Sequence, residues 1–146
     1  MKILIGVDDS PHSKAAVEFV RRMAWPVPTH VIVMSVVQSS AIVYADAYVP
    51  AGRGSQSVEE MVRAHQAIAA GAERALRVEH LGTEAKVLEG DPRTALVQAA
   101  KEENADLIVV GSHGRTGIAK LLMGSVASHV VTHAPCSVLV VKMERR

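Results

Sequence analysis

Apolar, mostly β-branched residues follow one another without alternation at Ile3-Leu4-Ile5-Gly6-Val7, from Val31 through Val37, and at Leu107-Ile108-Val109-Val110. Ser137-Val138-Leu139-Val140-Val141 is a fourth such run. A strand covered on both faces reads this way because neither row of its side chains meets water. The runs therefore predict a parallel sheet between two layers of helix. Thr83 to Glu89 mixes polar with apolar positions and reads as a half-exposed edge strand, which brings the expected strands to five.

Helical periodicity fills the intervals. Ser10-Pro11 is an N-cap followed by proline at the first helical position, ahead of Ala15, Ala16, Phe19, Val20 and Met23 at helical spacing. Asp91-Pro92 repeats the device before Ala95, Leu96 and Ala99. Ser57-Val58-Glu59-Glu60 is a capping box, and Met61, Val62, Ile68, Ala69, Ala72 and Leu76 follow near one stripe. A last helix is expected from about Ser125 to about His133, before Ala134-Pro135. The order β-α-β-α-β-α-β-α-β predicts one doubly wound α/β domain over residues 1–146. Gln38 to about Gln56, with Tyr44, Tyr48 and Pro50, is long for a connection inside such a domain and reads as a lid or a partner-contact segment.

Composition narrows the function classes. Of 146 residues, 49% are apolar and 21% charged, ordinary for a soluble chain with one core. Sixteen Lys and Arg against fifteen Asp and Glu leave a net charge of +1, which argues against a broad footprint for nucleic acid or an anionic membrane. Aromatic residues make up 3%, too few for the stacking platforms of single-strand binders. Cys136 is the single cysteine, so no internal disulfide forms, and neither a signal peptide nor a run of eighteen apolar residues is seen. A cytoplasmic protein is expected.

The chemistry concentrates in a glycine array. Leu107-Ile108-Val109-Val110 enters Gly111-Ser112-His113-Gly114, and Gly124-Ser125 follows after nine residues. A strand running into a glycine loop that opens a helix presents bare backbone N–H groups at the positive end of that helix, where phosphate binds. In an open α/β sheet ligands bind beyond the carboxyl ends of strands. If the ends of the first and fourth strands are adjacent, Asp8 joins this loop, to take a ribose hydroxyl or approach a metal. Gly111 and Gly114 would let a phosphate chain lie close to the backbone, and Gly124 and Ser125 would offer N–H groups and a hydroxyl.

Other residues have plainer readings. Asp9 reads as an acid favoured by a helix N-terminus, and Ser10 as its cap. His129 and His133 have a metal-compatible spacing but no evident third ligand, so a solvated helix face is expected. Cys136 reads as an inert packed thiol, and Lys120 as a surface residue, since it does not follow glycine as a P-loop lysine does. No Gly-x-Ser-x-Gly elbow, Cys-x-x-Cys pair or His-Glu-x-x-His is present, so no catalytic machinery is evident and any turnover of a bound nucleotide should be slow.

Taken together, Ile5-Gly6-Val7-Asp8-Asp9-Ser10, Gly90-Asp91-Pro92, the stretch Ala105 to Gly117, Gly124-Ser125-Val126-Ala127 and the stretch Ala134 to Val141 resemble the universal stress protein family, specifically its ATP-binding branch. The resemblance covers nearly the whole chain. It implies a five-stranded Rossmann-like fold, commonly dimeric through the last strand, that binds ATP at Gly-x-x-Gly, nine residues, Gly-Ser/Thr, a motif intact here. By position it implies Asp8 on the ribose, Val36 on the adenine, Val110 and Gly111 beside the sugar or base, and His113, Gly114, Arg115, Gly124, Ser125 and Val126 along the phosphates. One departure is Ser35, where many members carry histidine ahead of the valine. The expected role is an ATP-dependent sensor or regulator, with Mg²⁺ or Mn²⁺ on the phosphates. AMP or cyclic AMP binding, a slow ATPase, and a dimerisation module without a working pocket are the alternatives.

Overall fold

The computed structural model describes residues 1–38, 54–78, 80–115 and 123–143. Its elements are β1 (Lys2–Gly6), α1 (Pro11–Arg22), β2 (Thr29–Gln38), α2 (Gly54–Leu76), β3 (Leu81–Gly90), α3 (Pro92–Glu102), β4 (Leu107–Gly111), α4 (Ser125–His133) and β5 (Ser137–Val141). All four strand pairings are parallel, in the order β3-β2-β1-β4-β5. This is the α/β, doubly wound architecture that the uninterrupted apolar runs imply.

The runs lack alternation because each strand feeds two cores. Ile3, Ile5, Val31, Val33 and Val109 face α1 and α2, where they pack with Val17, Val20, Ala69 and Leu76. Leu4, Ile32, Met34, Ile108 and Val110 face α3 and α4, where they meet Leu96, Ala99, Ala100, Ala127 and Val130. Burying one such aliphatic side chain fully is worth about 1.5–3 kcal/mol, so a strand with two buried rows strongly favours the central sheet positions.

β3 is the edge strand that its mixed pattern implies, but it is ten residues long. It pairs with β2 over its whole length, from Thr29 opposite Leu81 to Gln38 opposite Gly90. α1 and α3 open as read: Ser10 Oγ accepts from Ser13 N–H at 3.1 Å, and an Asp91 carboxylate oxygen from Arg93 N–H at 2.9 Å. α2 begins at Gly54, so Ser57 lies inside the helix and does not cap it. A capping box marks a favourable start without preventing helix before it, and nothing between Gly54 and Ser57 breaks one. The rest of the long irregular stretch, 39–53, and Lys120 lie outside the described residues.

The lower end of the sheet, where strands begin, is tied by polar contacts. Lys2 N–H donates to Asp106 Oδ2 at 2.7 Å, and Asp106 N–H to Lys2 O at 2.8 Å. From the middle of β3, Lys86 Nζ lies 2.6 Å from both Glu84 and Glu103, while Lys2 and His30 extend the network at 3.6 Å. At the upper end, β1 and β4 are central neighbours whose chains leave in opposite directions, β1 toward β2 and β4 toward β5. That reversal parts their loops and opens a crevice.

Candidate nucleotide crevice

Asp8 enters the crevice from the end of β1, where Val7 N–H still bonds to Met34 O at 2.8 Å. Its own N–H donates to Ser13 Oγ at 3.0 Å, and its Oδ1 accepts from Ser10 N–H at 2.9 Å. The carboxylate is thus oriented by the first turn of α1. A Cβ placed on Gly114 would stand 3.2 Å from Asp8 Oδ2, so the first and fourth strand ends do converge, and glycine gives the carboxylate its room.

The glycine loop is held at both ends. Ser112 N–H donates to Val141 O at 2.8 Å, and Ser112 O accepts from Gly124 N–H at 2.7 Å, joining the start of the loop to the start of α4. A Cβ on Gly111 would lie 2.8 Å from the His12 carbonyl carbon and oxygen, so α1 packs directly on the loop. Ser112 Oγ lies 3.3 Å from His12 Nδ1 and 3.2 Å from His113 Nδ1, and those rings are 5.0 Å apart. Gly124 takes the N-cap position of α4 and supplies no side-chain acceptor. The first N–H groups of α4 therefore face the crevice with no capping side chain from Gly124, the arrangement that accepts an anion.

Ten residues singled out in the sequence come together here. Asp8, Val36, Val110, Gly111, His113, Gly114, Arg115, Gly124, Ser125 and Val126 all line one crevice of about 580 Å³. One wall is apolar, with Met34, Val36, Leu96 and Val110, and one end is polar, with the loop and the start of α4. A second space of about 420 Å³ adjoins it, sharing Ser125 and Val126 and bounded by Gln38, Asp91 and Arg93.

Two features differ from the sequence reading. Asp9 is more than a helix-end acid: its Oδ1 lies 2.6 Å from Arg115 Nε, bridging the β1 loop to the glycine loop. Periodicity also missed a wall, because Met61, Ala64 and His65 of α2 line the crevice. His65 Nδ1 lies 2.7 Å from the hydroxyl of fully buried Ser35, the position of the departure noted above. Burial, then the nearby Arg115 charge, push the His65 pKa below its ordinary value against the opposing pull of Asp9 and Asp8. Spacing on the helix could have shown that positions 61, 64 and 65 share a side, but not that this side passes the sheet edge.

His129, His133 and Cys136 are not among the residues that line the crevice. The rings of His129 and His133 stack at 4.1 Å, and among the described residues no group of three or more His, Cys, Asp or Glu is arranged to hold a metal ion. Cys136 is half-buried, and burial, followed by the Asp106 charge, pushes its thiol pKa up, as suits a packed thiol. No helix among the described residues is long and apolar enough to cross a membrane.

Comparison with known proteins agrees with this architecture. Universal stress protein MJ0531 of Methanocaldococcus jannaschii is 46% identical over 61 residues, 42% of this chain and 36% of that protein. The matched stretches cover between 36% and 54% of the lengths of this relative and of Slr1101 from Synechocystis. The solved structure of MJ0577, also from Methanocaldococcus jannaschii, superposes with a TM-score of 0.86 at 23% identity, over 99% of this chain and 97% of that one. A universal stress protein solved in complex with cAMP superposes with a TM-score of 0.62 at 26% identity, over 99% and 98%. The model of the universal stress protein family matches residues 1–142, so the chain belongs to that family.

Proposed function

We propose that this protein is a regulatory module that binds an adenine nucleotide, ATP first among them, in the crevice between β1 and β4. The observation that carries the reading is the pairing of the N–H groups at the start of α4, to which the N-cap Gly124 offers no side chain, with the Asp8 carboxylate beside Gly114. The helix end and glycine loop favour phosphate oxygens, which accept hydrogen bonds. Asp8 repels phosphate and suits the donating hydroxyls of a ribose. Val36 and Val110 offer an apolar surface for the base, while Gly111, His113, Gly114, Arg115, Gly124, Ser125 and Val126 bound the sugar and phosphate path. Mg²⁺ or Mn²⁺ would arrive on the phosphates. The volume is in the range of small-molecule sites. β5 ends the sheet, and its free edge is where a second copy would pair to form a homodimer.

A thermal unfolding scan of ligand-free protein with Mg²⁺ and saturating ATP tests the reading. Ligand at about a hundred times its dissociation constant stabilises by roughly 2.7 kcal/mol, or about 5–11 °C in a chain of this size. A shift no larger than that given by free ribose would overturn it. The cAMP-bound relative supports a second reading, a cyclic-nucleotide receptor, which predominates if cAMP shifts the transition more than ATP.

A further inference from the structure

We propose that His65 is a ligand-contacting specificity residue of the crevice, which together with Asp8 reads the sugar hydroxyls of a bound ribonucleotide. The proposal rests on the nucleotide reading above and extends it to α2, an element that reading does not use.

Three observations meet at this side chain. Met61, Ala64 and His65 lie on one side of α2 and line the crevice, so this helix forms a wall of the site as well as a cover for the core. The ring is also fixed. Ser35 is fully buried, and its hydroxyl engages His65 Nδ1 at 2.7 Å, which leaves Nε2 as the ring nitrogen available to a ligand. The third observation is the neighbourhood: His65 feels the charges of Arg115, Asp9 and Asp8, all at the junction of the β1 and β4 loops.

The chemistry selects what His65 meets. Burial and Arg115 hold the ring toward its neutral form, poorly matched to a phosphate but able to donate or accept through Nε2. A hydroxyl has the same double capacity. Asp8, with Oδ1 already engaged by Ser10, can only accept. A vicinal diol suits this pair, since one hydroxyl donates to the carboxylate while the other bonds to the imidazole.

Titration of the full chain with ATP, 2′-deoxy-ATP and 3′-deoxy-ATP tests the proposal. Wild type is expected to bind ATP about five- to tenfold more tightly than either deoxy analogue, since each lacks the hydroxyl of one hydrogen bond. His65→Ala should lose the preference over one analogue, chiefly by weakening ATP, and keep the preference over the other, whose missing hydroxyl Asp8 reads. His65→Gln, which keeps a polar atom near the Nε2 position, should retain most of the preference that His65→Ala loses. His65→Asn, which keeps only the Ser35 bond, should lose it. Ligand-free thermal scans identify any variant that fails to fold, and the Gln and Asn variants together remain informative if the Ala variant is unstable. Preferences over both analogues that persist undiminished in folded His65→Ala, equal binding of all three ligands by wild type, or an equal loss for all three ligands in the variant would overturn the proposal while leaving the nucleotide reading intact. Wild type that binds none of the three would overturn both.

Discussion

Arg115 Nε rests 2.6 Å from Asp9 Oδ1, so a cation at the mouth of the glycine loop is already engaged by a carboxylate from the β1 side. Both side chains are about half exposed, so the pair contributes little to stability and yields readily to a competing anion. Asp9 offsets the charge, and occupies the Nε donor, that a phosphate at the loop would otherwise meet. Asp9→Asn is therefore expected to tighten ATP binding by about two- to fivefold, more for ATP than for AMP, and more at low than at physiological ionic strength. Calorimetric titration at two salt concentrations checks this. Unchanged or weaker ATP binding would show that Asp9 does not compete.

Two glycines of the same loop are expected to fail differently when given a methyl group. Gly111→Ala places Cβ 2.8 Å from the His12 backbone, which cannot move without shifting α1, and should cost about 1–3 kcal/mol of unfolding free energy. Gly114→Ala places Cβ 3.2 Å from Asp8 Oδ2, a side-chain atom that can shift. Stability should change by less than about 1 kcal/mol while nucleotide affinity falls about tenfold, because the displaced carboxylate belongs to the site. Denaturant titration and ligand titration of both variants separate these outcomes.

His65 makes stability fall with acid. Its folded pKa lies below the ordinary 6.5, through burial first and Arg115 second, with Asp9 and Asp8 opposing. Unfolding therefore takes up a proton once the pH drops below that ordinary value. The contribution is fully present above about pH 6.5 and is lost as the pH falls through the lower folded pKa. Thermal midpoints measured from about pH 7.5 down to 5 should decline less steeply in His65→Gln than in wild type.

Glu73 fastens α2 to the edge strand. It is 6% exposed and accepts from Arg77 Nε at 2.8 Å and from Thr83 Oγ1 at 2.5 Å on β3. Glu73→Ala leaves the threonine hydroxyl without this partner and should cost about 1–2 kcal/mol in a denaturant titration. Those hydrogen bonds, Arg77 first, hold the Glu73 pKa below the ordinary 4.5. Its contribution is thus present above that pH and is lost on acidification, and the variant should be less acid-sensitive than wild type in this range.

The sheet and the glycine loop were legible because their signals are local: runs buried on both faces, proline after a capping residue, and glycines at a fixed spacing. The partner of Arg115 was not, because Asp9 reaches it across the junction of two central strands that sit far apart in sequence. Ser35 was legible as a departure, but nothing local shows that the imidazole opposite it comes from α2. Met61 and Ala64 fit an ordinary apolar stripe, and only the position of α2 against the sheet edge makes them part of the crevice. The start of α2 at Gly54 shows how weakly a capping box alone fixes a boundary.

The paired hydrogen bonds between Lys2 and Asp106 lie where strands begin, whereas the crevice opens where strands end. The parallel sheet thereby ties one end of its strands and leaves the other end to the ligand. Substitutions at upper-loop positions that do not pack on α1 or the cores can retune what is bound while the tied end stays unaltered, so one scaffold can diverge in ligand choice without first surrendering its architecture.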